Sequence, residues 1–304
     1  MVGAAGGGSS GFFLAQAPPV TSIASTAAVA HTRKLRFINV SFRMGSLTSD
    51  VRGVNFIPPL MDRLLDATAR AERRHFWFRG FRRFVMPLLD RAAAGRRDLR
   101  ILDCGCGTGN NLRLLRNYGT ATGIDITFSG LAYARGQGER LVARASATSL
   151  PFSDGCFHIV TSFDVIYAFD NAMAAAALSE MHRVLRPGGH LVLNVAALPI
   201  LTGNHSVLGG EVQRYTRKGL RRHLERAGFS VQRLTYTNAA ILPLVAGVRF
   251  AQRLVGHRES NREMSVPSPP INLALSGALA IEAAALRVVD MPLGSSLLTL
   301  AVKG

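Results

Sequence analysis

The residues Leu99-Arg100-Ile101-Leu102-Asp103-Cys104-Gly105-Cys106-Gly107-Thr108-Gly109-Asn110 leave this chain few folds to choose from. A short apolar run ends at an acid, crosses alternating glycines and opens into Leu112, Leu114 and Leu115 at helical spacing. That reads as a strand, a tight loop and a helix. Glycines at such a junction let backbone N–H groups approach a ligand that any side chain would obstruct. Two familiar nucleotide loops are excluded by spacing. A phosphate loop needs Gly-Lys-Ser/Thr, and the chain contains no Gly-Lys pair. A dinucleotide fingerprint counted from Gly105 needs Gly or Ala where Asn110 stands, and counted from Gly107 it needs one where Leu112 stands. What remains is Asp-x-Gly-x-Gly-x-Gly.

The same alternation continues downstream. Ala121 to Ile126 predicts a second strand ending in Asp125, and Ser129 is placed to cap a helix through Leu131, Ala132 and Arg135. Leu141–Arg144 and Phe157–Phe163 predict strands three and four. A helix from Ala172 to Leu185 should stop at Pro187-Gly188-Gly189, before a fifth strand at His190–Val195. Thr216–Ala227 predicts a helix, Phe229–Asn238 a sixth strand and Ser296–Val302 the last. Strands alternating with helices predict an α/β fold, a doubly wound, mostly parallel seven-stranded sheet. An N-terminal helical lid should precede it and a helical insertion should precede the last strand. Ligands of such sheets bind beyond the carboxyl ends of the strands.

The 304 residues suffice for one large domain with extensions, and 48% hydrophobic with 18% charged residues describes a globular chain. The formal charge of +17 has two readings. A basic surface attracts nucleic acid or anionic lipid. Alternatively, Arg in place of Lys together with abundant Ala and Gly reflects a GC-rich genome, since Lys34, Lys218 and Lys303 are the only lysines. No compact basic block with interleaved aromatics appears. Cys104, Cys106 and Cys156 form neither a disulfide framework nor a Cys-x-x-Cys pair, so they read as reduced thiols in small spaces, with no metal expected.

Three regions divide the chain. Residues 1–49 are Gly/Ala/Ser-rich, hold no acid and read as a disordered segment, a targeting segment or an upstream start with Met44 or Met61 as the true beginning. Residues 50–98 turn helical from Asp62 and carry the aromatic run His75-Phe76-Trp77-Phe78-Arg79-Gly80-Phe81, either a helix packed on the core or a lid. In the lid reading, Trp77 and Arg79 meet substrate, Arg79 through a carboxylate or phosphate. Residues 99–304 form the ligand-binding domain, with apolar helical stretches near 239–256 and 271–289 as an insertion spanning 239–294. Charges interrupt both stretches, so packing on the domain or lying on a membrane surface fits better than spanning.

The loop Asp103-x-Gly-x-Gly-x-Gly resembles the first motif of class I S-adenosylmethionine-dependent methyltransferases, of the type 11-like group. The resemblance implies S-adenosylmethionine as cofactor. Gly105, Cys106, Gly107 and Gly109 would meet its amino-acid part, Asp103 would hold its ammonium end, and Asp125, with Ile126 beside it, would bond both ribose hydroxyls. Ala145–Phe152 is similar to the family's Gly-Asp-Ala-x-x-Leu-Pro-Phe block, which puts Ser146 at the position that meets the adenine amino group, next to Ala147. Phe163-Asp164 corresponds to the strand end beside the sulfonium. Relatives carry Glu-His shortly after it, where Tyr167-Ala168 stands here.

The segments around His75–Gly80 and Gln213–Lys218 look like those of bacterial methyltransferases linked to envelope glycan or lipid-linked sugar assembly. The resemblance therefore implies O- or C-methylation of a small-molecule, lipid or lipid-linked acceptor. The long loop Leu198–Arg214 is the expected substrate loop, with His205 and Tyr215 as catalytic residues, Glu211 behind His205, and Arg214 on the substrate. The alternatives are a nucleic-acid methyltransferase, against which the absence of an Asn-Pro-Pro-Tyr/Phe tetrapeptide after strand four counts, and a cofactor-binding protein without activity. The expected location is cytoplasmic, with peripheral membrane contact through 239–290 and organelle targeting by 1–49 as further readings.

Overall fold

The computed structural model describes residues 68–201, 211–255 and 266–304. The segment 1–49, the predicted helix start at Asp62 and the candidate catalytic His205 lie outside the described residues. Seven strands form one sheet: β1 Leu99–Cys104, β2 Gly119–Asp125, β3 Val142–Arg144, β4 Phe157–Phe163, β5 Leu185–Ala196, β6 Phe229–Thr237 and β7 Ser296–Lys303. Their order is β3-β2-β1-β4-β5-β7-β6. The first five are parallel, while β7 runs antiparallel between β5 and β6. Chain order reverses between β1 and β4, which opens a crevice beyond their carboxyl ends.

Alternation along each strand divides the core between the two faces of the sheet. Leu102, Val160 and Leu191 face α4 (Asn171–Val184) and α5 (Arg217–Arg226). Their neighbours Ile101, Ile159 and Val192 face α1 (Phe76–Ala93), α2 (Asn110–Leu115), α3 (Phe128–Gly136) and, later in the chain, α7 (Pro269–Ala285). The sheet is doubly wound because both of its faces are apolar.

Helix α1 is capped by the His75 ring, whose Nδ1 accepts from the Trp77 N–H at 3.2 Å, and it buries Phe84, Val85, Leu88 and Leu89 under the sheet. It belongs to the same hydrophobic cluster as α2, α3 and α7. The insertion holds α6 (Leu242–Val255) and α7, and Glu282 of α7 fastens it by accepting the Ala239 and Ala240 N–H groups at 3.0 and 2.9 Å. No described helix is long and apolar enough to cross a membrane.

Two local expectations change. Thr127, not Ser129, is the cap residue of α3, and the Thr127 hydroxyl is spent on Asp125 rather than on the helix. The Pro187-Gly188-Gly189 turn is absorbed into β5 as an irregularity opposite Phe157–Ile159, because pairing with β4 already begins at Leu185.

Candidate active site

Asp103 lies in β1 directly across from Thr161 of β4. It is 1% exposed, and its Oδ1 accepts from the Thr161 hydroxyl at 2.7 Å. Its Oδ2 is buried without any partner. Burial pushes the Asp103 carboxyl up to about 7 and the Asp125 charge adds to the rise, while the Thr161 bond opposes it. A carboxylate oxygen buried in this way is costly unless a donor reaches it, and a cationic donor offsets the cost best.

The glycine turn follows immediately. The Gly105 and Cys106 N–H groups both donate to the Ile124 carbonyl, at 2.8 and 2.9 Å, which ties the turn to β2. Gly105 sits at φ +82°, and a Cβ there would lie 2.2 Å from Val165 Cγ2, so the segment leaving β4 closes over a position that only glycine fills. The Gly107 N–H reaches across to Asp125 Oδ2 at 2.7 Å. Gly109, at φ +81°, opens α2.

Asp125 therefore has a second task. Its Oδ1 accepts from the Thr127 N–H at 2.8 Å and the Thr127 hydroxyl at 2.6 Å, while Oδ2 takes Gly107. A carboxylate offers about four lone-pair sites, and three are already used. That leaves one lone-pair site, on Oδ2, where the expectation of two ribose bonds needs two. The expectation for Cys106 is corrected. Its N–H is engaged by Ile124, and its Sγ fills the space against Gly123 and Leu112 instead of facing a ligand.

Ser146 is half-buried beyond β3, its Oγ 2.8 Å from Thr148 Oγ1 and accepting the Thr148 N–H at 3.2 Å, with Ala147 buried beside it. The Ile126 carbonyl takes Arg144 Nε at 2.9 Å. Phe163 is buried, and Phe81 of α1 meets it edge-on at 5.0 Å. The aromatic helix thus reaches the strand end next to the glycine turn. Just before α1, Glu72 accepts from the Thr108 hydroxyl at 2.7 Å, which latches this segment onto the turn itself. Burial raises the Glu72 carboxyl, and its bond to Thr108 and the charges of Arg82 and Arg73 moderate the rise.

Residues 102–193 match the family model described as a methyltransferase domain. Over that segment the chain carries a methyltransferase domain. It is 37% identical over 94 residues to the malonyl-[acyl-carrier protein] O-methyltransferase of Pectobacterium atrosepticum, covering 30% of this chain and 36% of that enzyme. It is 29% identical over 197 residues to the ubiquinone/menaquinone biosynthesis C-methyltransferase of Proteus mirabilis, covering 52% of this chain and 77% of that one. The chain spans only 36 to 45% of the length of the first three curated relatives it matches. Among solved structures, phosphoethanolamine N-methyltransferase 2 of Haemonchus contortus, determined with S-adenosyl-L-methionine, aligns at TM-score 0.53 and 17% identity over 83% of this chain and 60% of that one. At that identity the likeness is one of fold.

On the acceptor side, the methyltransferase domain departs from the sequence reading. Tyr215 is 3% exposed, its hydroxyl donates to the Ile166 carbonyl at 3.2 Å and accepts from Gln213 at 2.7 Å, and burial raises its pKa. It is a packing residue, and its assignment as catalytic is withdrawn. Arg214 and Glu211 form a buried ion pair, and Arg214 also donates to the Ala197 carbonyl at 2.9 Å. The arginine expected to meet substrate spends its charge inside the fold, and Glu211 is no spare base. Trp77 is half-buried among the core residues under α1. Arg79 stays half-exposed and makes no ion pair among the described residues.

Asp164, at the strand end that the resemblance sets beside the sulfonium, directly follows β4. It holds φ +57°, its backbone N–H donates to the Asn194 carbonyl at 3.0 Å, and its carboxylate accepts from Asn194 Nδ2 at 2.8 Å. Surrounding protein pushes Asp164 up to about 6, Glu211 adds to the rise, and Asn194 and Arg214 oppose it. The side chain remains accessible, so solvent reaching it limits that shift.

Proposed function

We propose that this chain transfers a methyl group from S-adenosylmethionine to an oxygen or carbon of a small or lipid-linked acceptor. The observation that carries the reading is the buried, unpartnered Oδ2 of Asp103 beside the glycine turn. That arrangement fits an ammonium group. In this reading Asp103 holds the amino-acid end, the remaining lone pair of Asp125 Oδ2 takes one ribose hydroxyl, Ser146 faces the adenine amino group and Phe163 walls the site. The cofactor, when bound, supplies a methyl group already activated by a sulfonium, so the protein's work is alignment and exclusion of water.

Asp164 takes the role first assigned to the long loop. An accessible carboxylate whose proton affinity is raised by its surroundings can receive the proton an acceptor loses. Its left-handed backbone and the clamp from Asn194 fix its position at the strand end. The O- and C-methyltransferase names of the curated relatives support an oxygen or carbon acceptor.

The test incubates the full chain and methyl-tritiated S-adenosylmethionine with a cell lysate, then separates lipid, small-molecule and RNA fractions. Label is expected in the lipid or small-molecule fraction. Label confined to RNA would replace the acceptor class. Cofactor binding by calorimetry without label in any fraction would leave a binding protein and end the enzyme reading.

A further inference from the structure

Helix α7 is built inside out. Its polar residues all turn inward. Asn272 accepts from the Phe76 N–H at 2.8 Å and donates to the Arg74 carbonyl at 2.9 Å, Ser276 is buried, and Glu282 is buried on the Ala239 and Ala240 N–H groups. The outward stripe is Leu273, Gly277, Ile281 and Ala284, continued past the last turn by Val288, at spacings of three and four that share one helical face. Leu273, Ile281 and Val288 are 69%, 74% and 89% exposed. A surface helix ordinarily shows the reverse pattern, and single exposed apolar residues are common where an unbroken apolar stripe is not.

The charges around that stripe are mostly positive. Helix α1 runs alongside α7, with Phe76 at Asn272 and the Arg83 guanidinium on the Ser276 carbonyl at 3.4 Å. From Arg70 to Arg91 the chain holds seven arginines against two acids. Both acids are turned to other elements, Glu72 to Thr108 and Asp90 to the Tyr118 hydroxyl. Arg287 is exposed beyond the other end of α7, and the next acid, Asp290, is paired with Arg233.

We propose that the outer face of α7, bordered by Arg74 just before α1, by Arg83 of α1 and by Arg287, docks on an anionic lipid bilayer. The helix would lie in the interfacial plane, its apolar stripe at the acyl boundary and its guanidinium groups among the phosphates. Charge selects this occupant over a second copy of the chain, because a two-fold contact through α7 would bring the same arginines face to face. The surface stands independently of the chemistry assigned to the crevice.

The test is co-sedimentation of the full chain with vesicles of phosphatidylcholine mixed with phosphatidylglycerol, against vesicles of phosphatidylcholine alone. Wild type should sediment with the anionic vesicles. Leu273→Gln with Ile281→Gln, both at exposed positions, should lower partitioning about tenfold or more through lost apolar insertion. Arg74→Gln with Arg287→Gln should lower it about fivefold per arginine on the anionic vesicles alone. Affinity for S-adenosylmethionine should be unchanged in both variants, so a failure here is separable from a failure of the methyltransferase reading. Wild type left in the supernatant, or variants that sediment like wild type, would overturn the proposal. So would light scattering that shows a wild-type dimer converted to monomer by the α7 variant.

Discussion

Replacing Asp103 with asparagine keeps the shape of the side chain and removes its charge, which makes the crevice's electrostatics measurable. The carboxyl is displaced from an ordinary 3.8 to about 7 by burial and by Asp125. At 1.36 kcal/mol per pKa unit, holding it ionised in the fold costs about 4 kcal/mol above pH 7, as an upper bound. The sign follows from linkage. A raised carboxyl binds more protons folded than unfolded, so its contribution is favourable below about pH 4 and is lost as pH rises through about 7. Asparagine carries no such dependence. Its amide leaves buried N–H groups unpaired where Oδ2 was unpartnered, a cost of about 1–3 kcal/mol that does not vary with pH. The stability difference between Asp103→Asn and wild type should therefore grow in the variant's favour by up to about 4 kcal/mol between pH 4 and pH 8. Affinity for S-adenosylmethionine should meanwhile fall by about 1.5–3 kcal/mol, from loss of a charged partner for the ammonium. Urea unfolding across that pH range, with calorimetry at pH 8, reads both quantities. Parallel stability–pH curves for the two proteins would refute the buried-charge argument, and unchanged affinity would refute the ammonium assignment.

Three further substitutions separate roles within the site. Asp125→Ala should weaken cofactor binding by about 1.5–3 kcal/mol in calorimetry, and it should also lower thermal stability because the Gly107 and Thr127 N–H groups lose their acceptor. Asp164→Asn should reduce kcat by about 10²–10⁴-fold and abolish the rise in rate with pH that ionisation of this carboxyl gives, while calorimetric cofactor affinity stays unchanged. Tyr215→Phe should cost about 1–2 kcal/mol in urea unfolding, since the Ile166 carbonyl and Gln213 lose a partner, and leave kcat near wild type. A large loss of kcat in Tyr215→Phe would restore the catalytic role withdrawn above.

The strands and the glycine turn were legible because their signals are local. Apolar runs ending at Asp103 and Asp125, and glycines at left-handed positions, are written in adjacent residues. The acceptor side depends on convergence from distant segments. Nothing around Tyr215 announces that its hydroxyl will meet the carbonyl of Ile166, or that Arg214 will find Glu211 before it finds a substrate. Asp164 carries no glycine to mark its left-handed turn, and its clamp, Asn194, comes from another strand. The reading of α7 as an apolar insertion was correct in composition. The direction in which Asn272 and Glu282 point is set by their partners in α1 and before α6.

Strand β7 sits in the interior of the sheet yet is the last strand in chain order. During synthesis β5 emerges with one edge open, and about 100 residues pass before Ser296–Lys303 arrives to pair it. Until then an apolar strand edge is available to other nascent chains, and β6 has no neighbour to join. Two of the six strand pairings therefore close in a single late event, and a polypeptide interrupted before residue 296 keeps that edge exposed to aggregation.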